Sequence, residues 1–319
     1  MEIRNYRPGD ENKILGLFEQ TFKKKISINF WKWRYIENCE KKTWVKLMWD
    51  GKNLVGNYSL FPVQLMWYGK PVLTGLSMTT MTHPEYSGKG IFTTLANSLY
   101  DECREKDGVK FIWGFPNKNS HNGFINKLQW VDIVNIPMLS LNTSMAHFIP
   151  NSTGITRFTA FETKHEHSYH KNIKRFVVGV NKTKEYLNWR YLENPMNNYD
   201  FFEFSSNGNC YFCITKLINS FSVTGKKEID IVDFCLPEQH DSVMNILSHI
   251  YHYYSDRGDV VRMNTWIPDH TEENIIFKSL GFTEDIPYTI LGSRIFDPDY
   301  AAVTDSKSWF FTMGDSDVF

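Results

Sequence analysis

Six residues, Trp33-Arg34-Tyr35-Ile36-Glu37-Asn38, return 156 positions later as Trp189-Arg190-Tyr191-Leu192-Glu193-Asn194, with Leu for Ile the only change. An offset of nearly half the chain implies one structural unit built twice. The segments after the two copies correspond as well. Trp44 to Trp49 and Leu54 to Leu60 flank Asp50-Gly51, a hairpin signal; Phe201 to Phe204 and Tyr211 to Thr215 flank Ser206-Asn207-Gly208. A strand comes next in each half, Leu76 to Thr82 and Ile229 to Leu236. An amphipathic helix is then expected: Ile91, Leu95 and Leu99 recur at helical spacing, as do Ile246, Leu247 and Ile250 within Val243 to Tyr254. A further strand (Lys110 to Phe115; Val260 to Trp266) and a closing helix (Phe124 to Trp130; Ile276 to Phe282) complete both halves. The expectation is a mixed α/β (α+β) protein of two tandem units, residues 1–150 and 155–319. The breaker cluster Pro150-Asn151-Ser152-Thr153-Gly154 is the expected linker.

Composition bounds the function. The 319 residues, 42 % hydrophobic and 22 % charged, suffice for two packed cores. A formal charge of −1, from 35 basic and 36 acidic residues, argues against a large nucleic-acid footprint. No apolar h-region opens the chain and no apolar run reaches 18 residues, so a cytoplasmic protein without a membrane partner is expected. Cys39, Cys103, Cys210, Cys213 and Cys235 are an odd, scattered set rather than a disulfide framework. Cys210 and Cys213 stand three apart on an expected strand and point to opposite faces, so no metal site is read there.

The segment Thr80-Met81-Thr82-His83-Pro84-Glu85-Tyr86-Ser87-Gly88-Lys89-Gly90-Ile91-Phe92 carries the chemistry. A strand ends at proline, a glycine-bearing loop comes after it, and an apolar helix begins. Backbone N–H groups at such a helix start form an anion site, and glycines let a pyrophosphate approach the backbone. Taken alone, Gly88-x-Gly90 suits an ordinary loop as well. In the order strand, Pro84, Tyr86-Ser87-Gly88-Lys89-Gly90-Ile91, helix, strand and a closing Leu128-Gln129-Trp130, it resembles the GNAT acetyltransferase superfamily. The resemblance covers residues 1 to about 142 well. The half from about 155 resembles the same fold but has Leu236-Pro237-Glu238-Gln239-His240-Asp241 in place of the loop.

The resemblance implies two GNAT-like units, each a mixed, mostly antiparallel sheet flanked by helices, with acyl-CoA (acetyl or a short hydroxyacyl) as co-substrate in the first and no metal. Ser87, Gly88, Lys89, Gly90, Ile91 and Phe92 would hold the pyrophosphate. Thr80, Met81 and Thr82 would line the thioester, with the Met81 N–H as oxyanion donor, and Asn117 and Ser120 would touch the pantetheine arm. Asn57, Tyr58 and Arg34 are candidate acceptor contacts, although Arg190 repeats Arg34 in the half without a loop, which favours a structural role for both. His83 and His121 are candidate bases. The family pattern is broken at Ser87 (usually Gln or Arg), at Phe92 (often Gly or Ala) and at Ile125, where a tyrosine often stands.

By resemblance the reaction is transfer to a primary amine without an acyl-enzyme. Chains of this size resemble enzymes of nucleotide-linked amino sugars, such as a dTDP-3-amino-3,6-dideoxyhexose in surface-polysaccharide biosynthesis, and others that act on aminoacyl or peptide acceptors. The near-neutral charge disfavours tRNA. A non-catalytic protein of the same fold that binds a ligand or partner is the other reading. Oligomeric state is not legible.

Overall fold

The computed structural model describes residues 1–150, 153–206 and 208–319. Asn151 and Ser152 of the expected linker and Asn207 of the expected turn lie outside the described residues. The chain forms two compact units. The first comprises residues 1–134, 193–196 and 290–308; the second comprises 135–192, 197–289 and 309–319.

In the first unit β1 (Glu2–Asn5) leads into α1 (Glu11–Phe22) and α2 (Ile28–Tyr35). The Ser27 side chain starts α2 by accepting the Phe30 N–H (3.1 Å), and Phe30, Trp31, Trp33 and Tyr35 are all buried. The repeated motif therefore lies at the end of a short helix packed nearly all round. β2 (Trp44–Asp50) and β3 (Asn53–Trp67) form the expected hairpin, with Gly51 at positive φ in its turn. β3 runs seven residues beyond the expected Leu60, and β4 (Lys70–Thr82) begins six residues before Leu76. Their tip lacked a turn signal because Trp67-Tyr68-Gly69-Lys70 reads as continuous strand until Gly69. Then come α3 (Ile91–Asp107), ended by left-handed Gly108, β5 (Phe111–Gly114), α4 (Lys118–Leu128) and β6 (Val131–Asn142). β1 to β4 are antiparallel neighbours, and β4 pairs with β5 in parallel. The apolar stripe of α3 (Ile91, Leu95, Leu99, Cys103) packs with Tyr58, Leu60, Phe124 and Trp130 into one core.

The second unit repeats this plan with β7 (Ile155–Arg157), α5 (Thr163–Ile173), β8 (Val178–Val180), α6 (Lys184–Leu187), a π turn over Asn188–Leu192, β9 (Asp200–Ser206), β10 (Asn209–Asn219), β11 (Lys227–Cys235), α7 (His240–Ser255), β12 (Val260–Thr265), α8 (Glu272–Ser279) and β13 (Thr283–Ile295). β9, β10 and β11 are antiparallel and β12 joins β11 in parallel, the same sequence of pairings as β2 to β5. A mixed, mostly antiparallel sheet with flanking helices in each unit is the expected fold class.

The last strand of each unit comes from elsewhere in the chain. Beside β5 lies the end of β13, Gly292·Gly114 to Ile295·Phe111, whereas beside β12 lies the end of β6, Asn142·Arg262 to Leu139·Thr265. The units therefore depart from the division at 1–150 and 155–319: residues 135–150 go with the second and 290–308 with the first. Hydrophobic pattern identifies a strand but not which sheet accepts it, so the repeat could not reveal this exchange. Among the described residues no helix is long and apolar enough to cross a membrane.

A truncated chain of residues 1–150 should fail to fold cooperatively. It loses the partner of β5, the Tyr300 ring on Trp67 (4.8 Å), and Phe296, which packs on the α3 core. Full burial of an aromatic contributes up to about 3 kcal/mol and these half-buried rings a fraction of that each, against a net stability of about 5–15 kcal/mol. Circular dichroism melting would check this; a sharp transition in the fragment alone would contradict it.

Candidate functional site

β4 and β5 share a parallel ladder from Gly75·Ile112 to Ser77·Gly114, where the pairing ends and the strands diverge. Gly114 suits this point: an added Cβ would lie 3.1 Å from the Ser77 carbonyl oxygen. Just past the divergence β4 carries a bulge. Asn57 faces Met81 and Ser59 faces Met78, so Thr79 and Thr80 together oppose Tyr58. Thr79 is left-handed (φ 52°), a conformation that β-branched residues rarely adopt. Two side chains hold it. Tyr35 Oη donates to Thr79 Oγ1 (2.6 Å), and Asn57 Nδ2 donates to the Thr79 carbonyl (2.8 Å).

The bulge sets which N–H groups face the open edge. His83 N–H donates to Val55 O (2.9 Å), so 55·83 and, two residues on, 57·81 are the hydrogen-bonded pairs of the β3–β4 ladder. Met81 N–H therefore points to β3, which corrects its expected role as oxyanion donor. The N–H of Thr82, next along the regular part of the strand, faces the opposite edge.

At the end of β4 the chain turns through Pro84–Tyr86 and then Gly88 (φ 77°) and Gly90 (φ 75°) into α3. Gly90 is the N-cap and has no side chain to cover the first N–H groups of α3, which helix geometry leaves without partners. An added Cβ at Gly88 or Gly90 would meet no protein atom within 4 Å. The loop is thus an open, positive helix end with room for an anion. Ser87 departs from the expected set, because its N–H is already donated to Pro84 O (3.2 Å). Lys89 Nζ lies 4.3 Å from the Tyr86 ring centre, and Tyr86 Oη donates to Asp50 Oδ2 (2.7 Å), anchoring the loop to the β2–β3 turn. That hydrogen bond to a carboxylate raises the Tyr86 pKa.

Other expected residues fall into two groups. Tyr58 is fully buried and bonds Ser77 Oγ (2.7 Å) and Tyr100 Oη (2.6 Å); burial drives its pKa far up, and it is a core residue rather than an acceptor contact. Asn57, 1 % exposed, serves the bulge instead of the acceptor directly. His83 Nδ1 accepts the Glu85 N–H (3.3 Å), capping the short turn. Asn117 caps α4 by accepting the N–H groups of Asn119 and Ser120, and Ser120 Oγ turns back to Asn117. Arg34 is half-buried with its guanidinium 4.5 Å from the Phe30 ring centre. His121 Nε2 contacts both oxygens of Asp132 (2.9 Å), leaving Nδ1 as the other ring nitrogen. Phe92 packs on Tyr58 and Phe124, with Gly123 so close that a Cβ there would meet the Phe92 ring at 2.8 Å. The bulky residue at 92 is thus matched by a glycine on α4. Ile125 packs against the core. Burial pushes the Cys103 thiol up, far from a ready nucleophile. Thr79, Tyr35 and Ser77 were not singled out from sequence; only the duplication of Tyr35 hinted at a role.

The second unit diverges at the same place with a different occupant. β11 and β12 pair until Asp230·Asn264, and β11 is bulged between its partners Ile214 and Thr215. The segment Trp309–Ser316 is buried there. Phe310 packs edge-on to Phe234, Phe319 to Trp266, and Arg190 donates to the carbonyls of Gly314 (3.2 Å), Ser316 (3.1 Å) and Phe319 (2.7 Å). Lys182 is buried between Asp233 (2.8 Å) and Asp315 (3.0 Å); burial opposes its charge, but the two carboxylates outweigh that and raise its pKa. A cavity of about 230 Å³ opens beside the loop after β11. Its cations are engaged, Arg175 with Glu238 and Glu273, and Lys171 with Asn209. His165, Glu203 and Cys210 converge nearby, but His165 Nδ1 accepts the Glu162 N–H, so its Nε2–H donates to Glu203, which Lys164 also neutralises. That cluster is self-satisfied and needs no ion.

Residues 2–130 match the model of the acetyltransferase (GNAT) domain. The first unit therefore carries an acyl-CoA-dependent N-acyltransferase domain. Similar solved structures include a GCN5-related N-acetyltransferase from Anabaena variabilis ATCC 29413 (12 % identity, TM-score 0.73, 95 % of this chain and 75 % of that one). A conserved protein of unknown function from Enterococcus faecalis V583, described as a probable N-acyltransferase, is similar at 13 % identity and TM-score 0.70, over 93 % and 72 % of the two chains. A GCN5-related N-acetyltransferase from Kribbella flavida is similar at 10 % identity and TM-score 0.71, over 95 % and 73 %. At these identities the likeness is one of fold. No curated protein matches the chain.

Gly90→Asp should weaken CoA binding by about tenfold or more, because a carboxylate would stand where the phosphate approaches. The variant should remain folded, since the added atoms meet no protein neighbour, with only the modest strain of a left-handed non-glycine. Titration calorimetry with CoA measures this, and unchanged affinity would remove the loop as the binding site.

Proposed function

We propose that the first unit transfers an acyl group from CoA directly to a primary amine of a small acceptor, and that the second unit binds no CoA. The observation that carries this is the conjunction of an uncapped α3 N-terminus behind Gly88 and Gly90 with a strand, β4, bulged at Thr79 just before that loop. In the second unit the loop is replaced by Leu236-Pro237-Glu238-Gln239, and the chain's own residues 309–316 occupy the divergence.

The amine nitrogen attacks the thioester carbon, the carbonyl oxygen gains negative charge, and the C–S bond then breaks. The amine loses a proton and the CoA thiolate gains one. An N–H aimed at the developing oxyanion is worth about 3 kcal/mol. Ile125 offers no acid for the thiolate, so the proton passes through solvent or through His121, which Asp132 orients. A sugar amine beside electron-withdrawing oxygens is less basic than lysine and more of it is neutral at pH 7, which lightens the demand on a base. A nucleotide-linked amino sugar, such as a dTDP-3-amino-3,6-dideoxyhexose, is the acceptor we put forward. The near-neutral charge and the segments Gly114–Asn117 and Leu128–Trp130 support it. On this reading the enzyme works in the cytoplasm.

Thiol release from acetyl-CoA and hydroxyacyl-CoA should occur with nucleotide-linked amino sugars and be weak or absent with amino-acid amides and peptides. Release with peptides alone would replace the acceptor, and the absence of release with every amine would favour a non-catalytic protein. His121→Ala should lower turnover by about 10²-fold or less. A covalent acyl-enzyme, isolated after incubation with acyl-CoA alone and detected by mass spectrometry, would sink direct transfer.

A further inference from the structure

The residue repeated in the two halves that touches the bulge in each is a tyrosine. In the first unit Tyr35, 1 % exposed, donates to Thr79 Oγ1 at the left-handed position of β4. In the second, Tyr191, 2 % exposed, donates to Asp233 Oδ2 (2.6 Å) at the bulge of β11. The occupant of the strand edge beyond each bulge differs. In the second unit it is residues 309–316, and Asp233 also meets Lys182 and Thr312 of that packing. In the first unit the edge is the one that presents the Thr82 N–H and leads into the glycine loop before α3.

We propose that Tyr35 is a positioning residue of acyl transfer: through Thr79 it locks the bulge so that the Thr82 N–H is held towards the thioester oxygen. This rests on the acyl-transfer reading of the first unit. A threonine at positive φ relaxes readily to extended backbone unless restrained. Relaxation would remove the extra residue from β4, shift the rest of the strand by one position and reverse which N–H groups face the edge. Asn57 Nδ2 restrains the same residue from the carbonyl side while its Oδ1 has no partner among the described residues. Its retention beneath the strand fits a clamp better than a packing role. Tyr35 touches neither substrate in this scheme. It acts on the donor that does.

The test is Tyr35→Phe, which keeps the ring and removes only the hydroxyl, in the full-length protein. Two readouts are needed. Hydrogen exchange of the ligand-free protein should speed up over residues 78–82, whatever reaction the protein carries out. Turnover should fall about tenfold (about 1.4 kcal/mol), with the KM for acyl-CoA changed by no more than about twofold, as expected of an interaction felt in the transition state. Tyr35→Phe combined with Thr79→Ala should be no slower than the slower single variant, because both remove one contact. Tyr191→Phe, the same change in the second unit, should lower the melting temperature and leave turnover per folded molecule intact. Unchanged exchange at 78–82 would overturn the clamp. Faster exchange with unchanged kcat, or an equal loss of turnover in Tyr191→Phe, would overturn its role in transfer. A wild type inert towards every acyl-CoA and amine, with exchange still responding, would overturn the acyl-transfer reading and not the clamp.

Discussion

The site depends on a pair of parallel strands that stop sharing hydrogen bonds. From Gly75 to Ser77 the β4–β5 ladder is regular; β5 ends at Gly114, and β4 runs on to Thr82 with no ladder partner on that edge among the described residues. Unpaired N–H and C=O groups inside a protein are costly unless something meets them. Divergence therefore creates a demand for a polar, extended occupant, and the bulge at Thr79 decides which groups make that demand. The core beneath supports the geometry: Tyr58 and Tyr100 link the Ser77 hydroxyl to Trp130 through buried hydrogen bonds. Such a satisfied network fixes the end of the ladder better than apolar packing alone would.

The two units meet the same demand differently. In the second, a segment of the chain itself enters, with aromatic rings against Phe234 and Trp266 and its carbonyls gathered by Arg190. Buried Lys182 is held between Asp233 and Asp315, and removing the lysine would leave both carboxylates in the interior without a counter-charge. In the first, the equivalent edge leads into a glycine loop and an uncapped helix, which suit a phosphate-bearing ligand. Arg34 and Arg190, identical in the repeat, illustrate the divergence. One is half-buried over Phe30, and the other is buried and bound to three carbonyl oxygens.

Much was legible from residues alone. Repetition of Trp-Arg-Tyr-x-Glu-Asn announced two like units, alternation and helical spacing marked the hairpins and helices, and Gly88-x-Gly90 after Pro84 marked the glycine loop that opens α3. The boundaries of β3 and β4 were missed because an aromatic turn with Gly69 resembles strand. The roles of Met81 and Tyr58 were misjudged because they depend on a one-residue slip between strands, and a slip inverts which groups face outwards.

The sequence by itself determined what is local: the element types, their order, the duplication and the glycine loop before α3, since each arises from periodicity and backbone preference within a few residues. Tertiary structure alone decided that β13 completes the first sheet and β6 the second, that Thr79 is left-handed, that the Met81 N–H faces β3, and that residues 309–316 fill the second unit. These depend on contacts between residues tens to hundreds of positions apart. Any extended segment with the right alternation satisfies the sequence pattern, and only packing and hydrogen-bond register select among them.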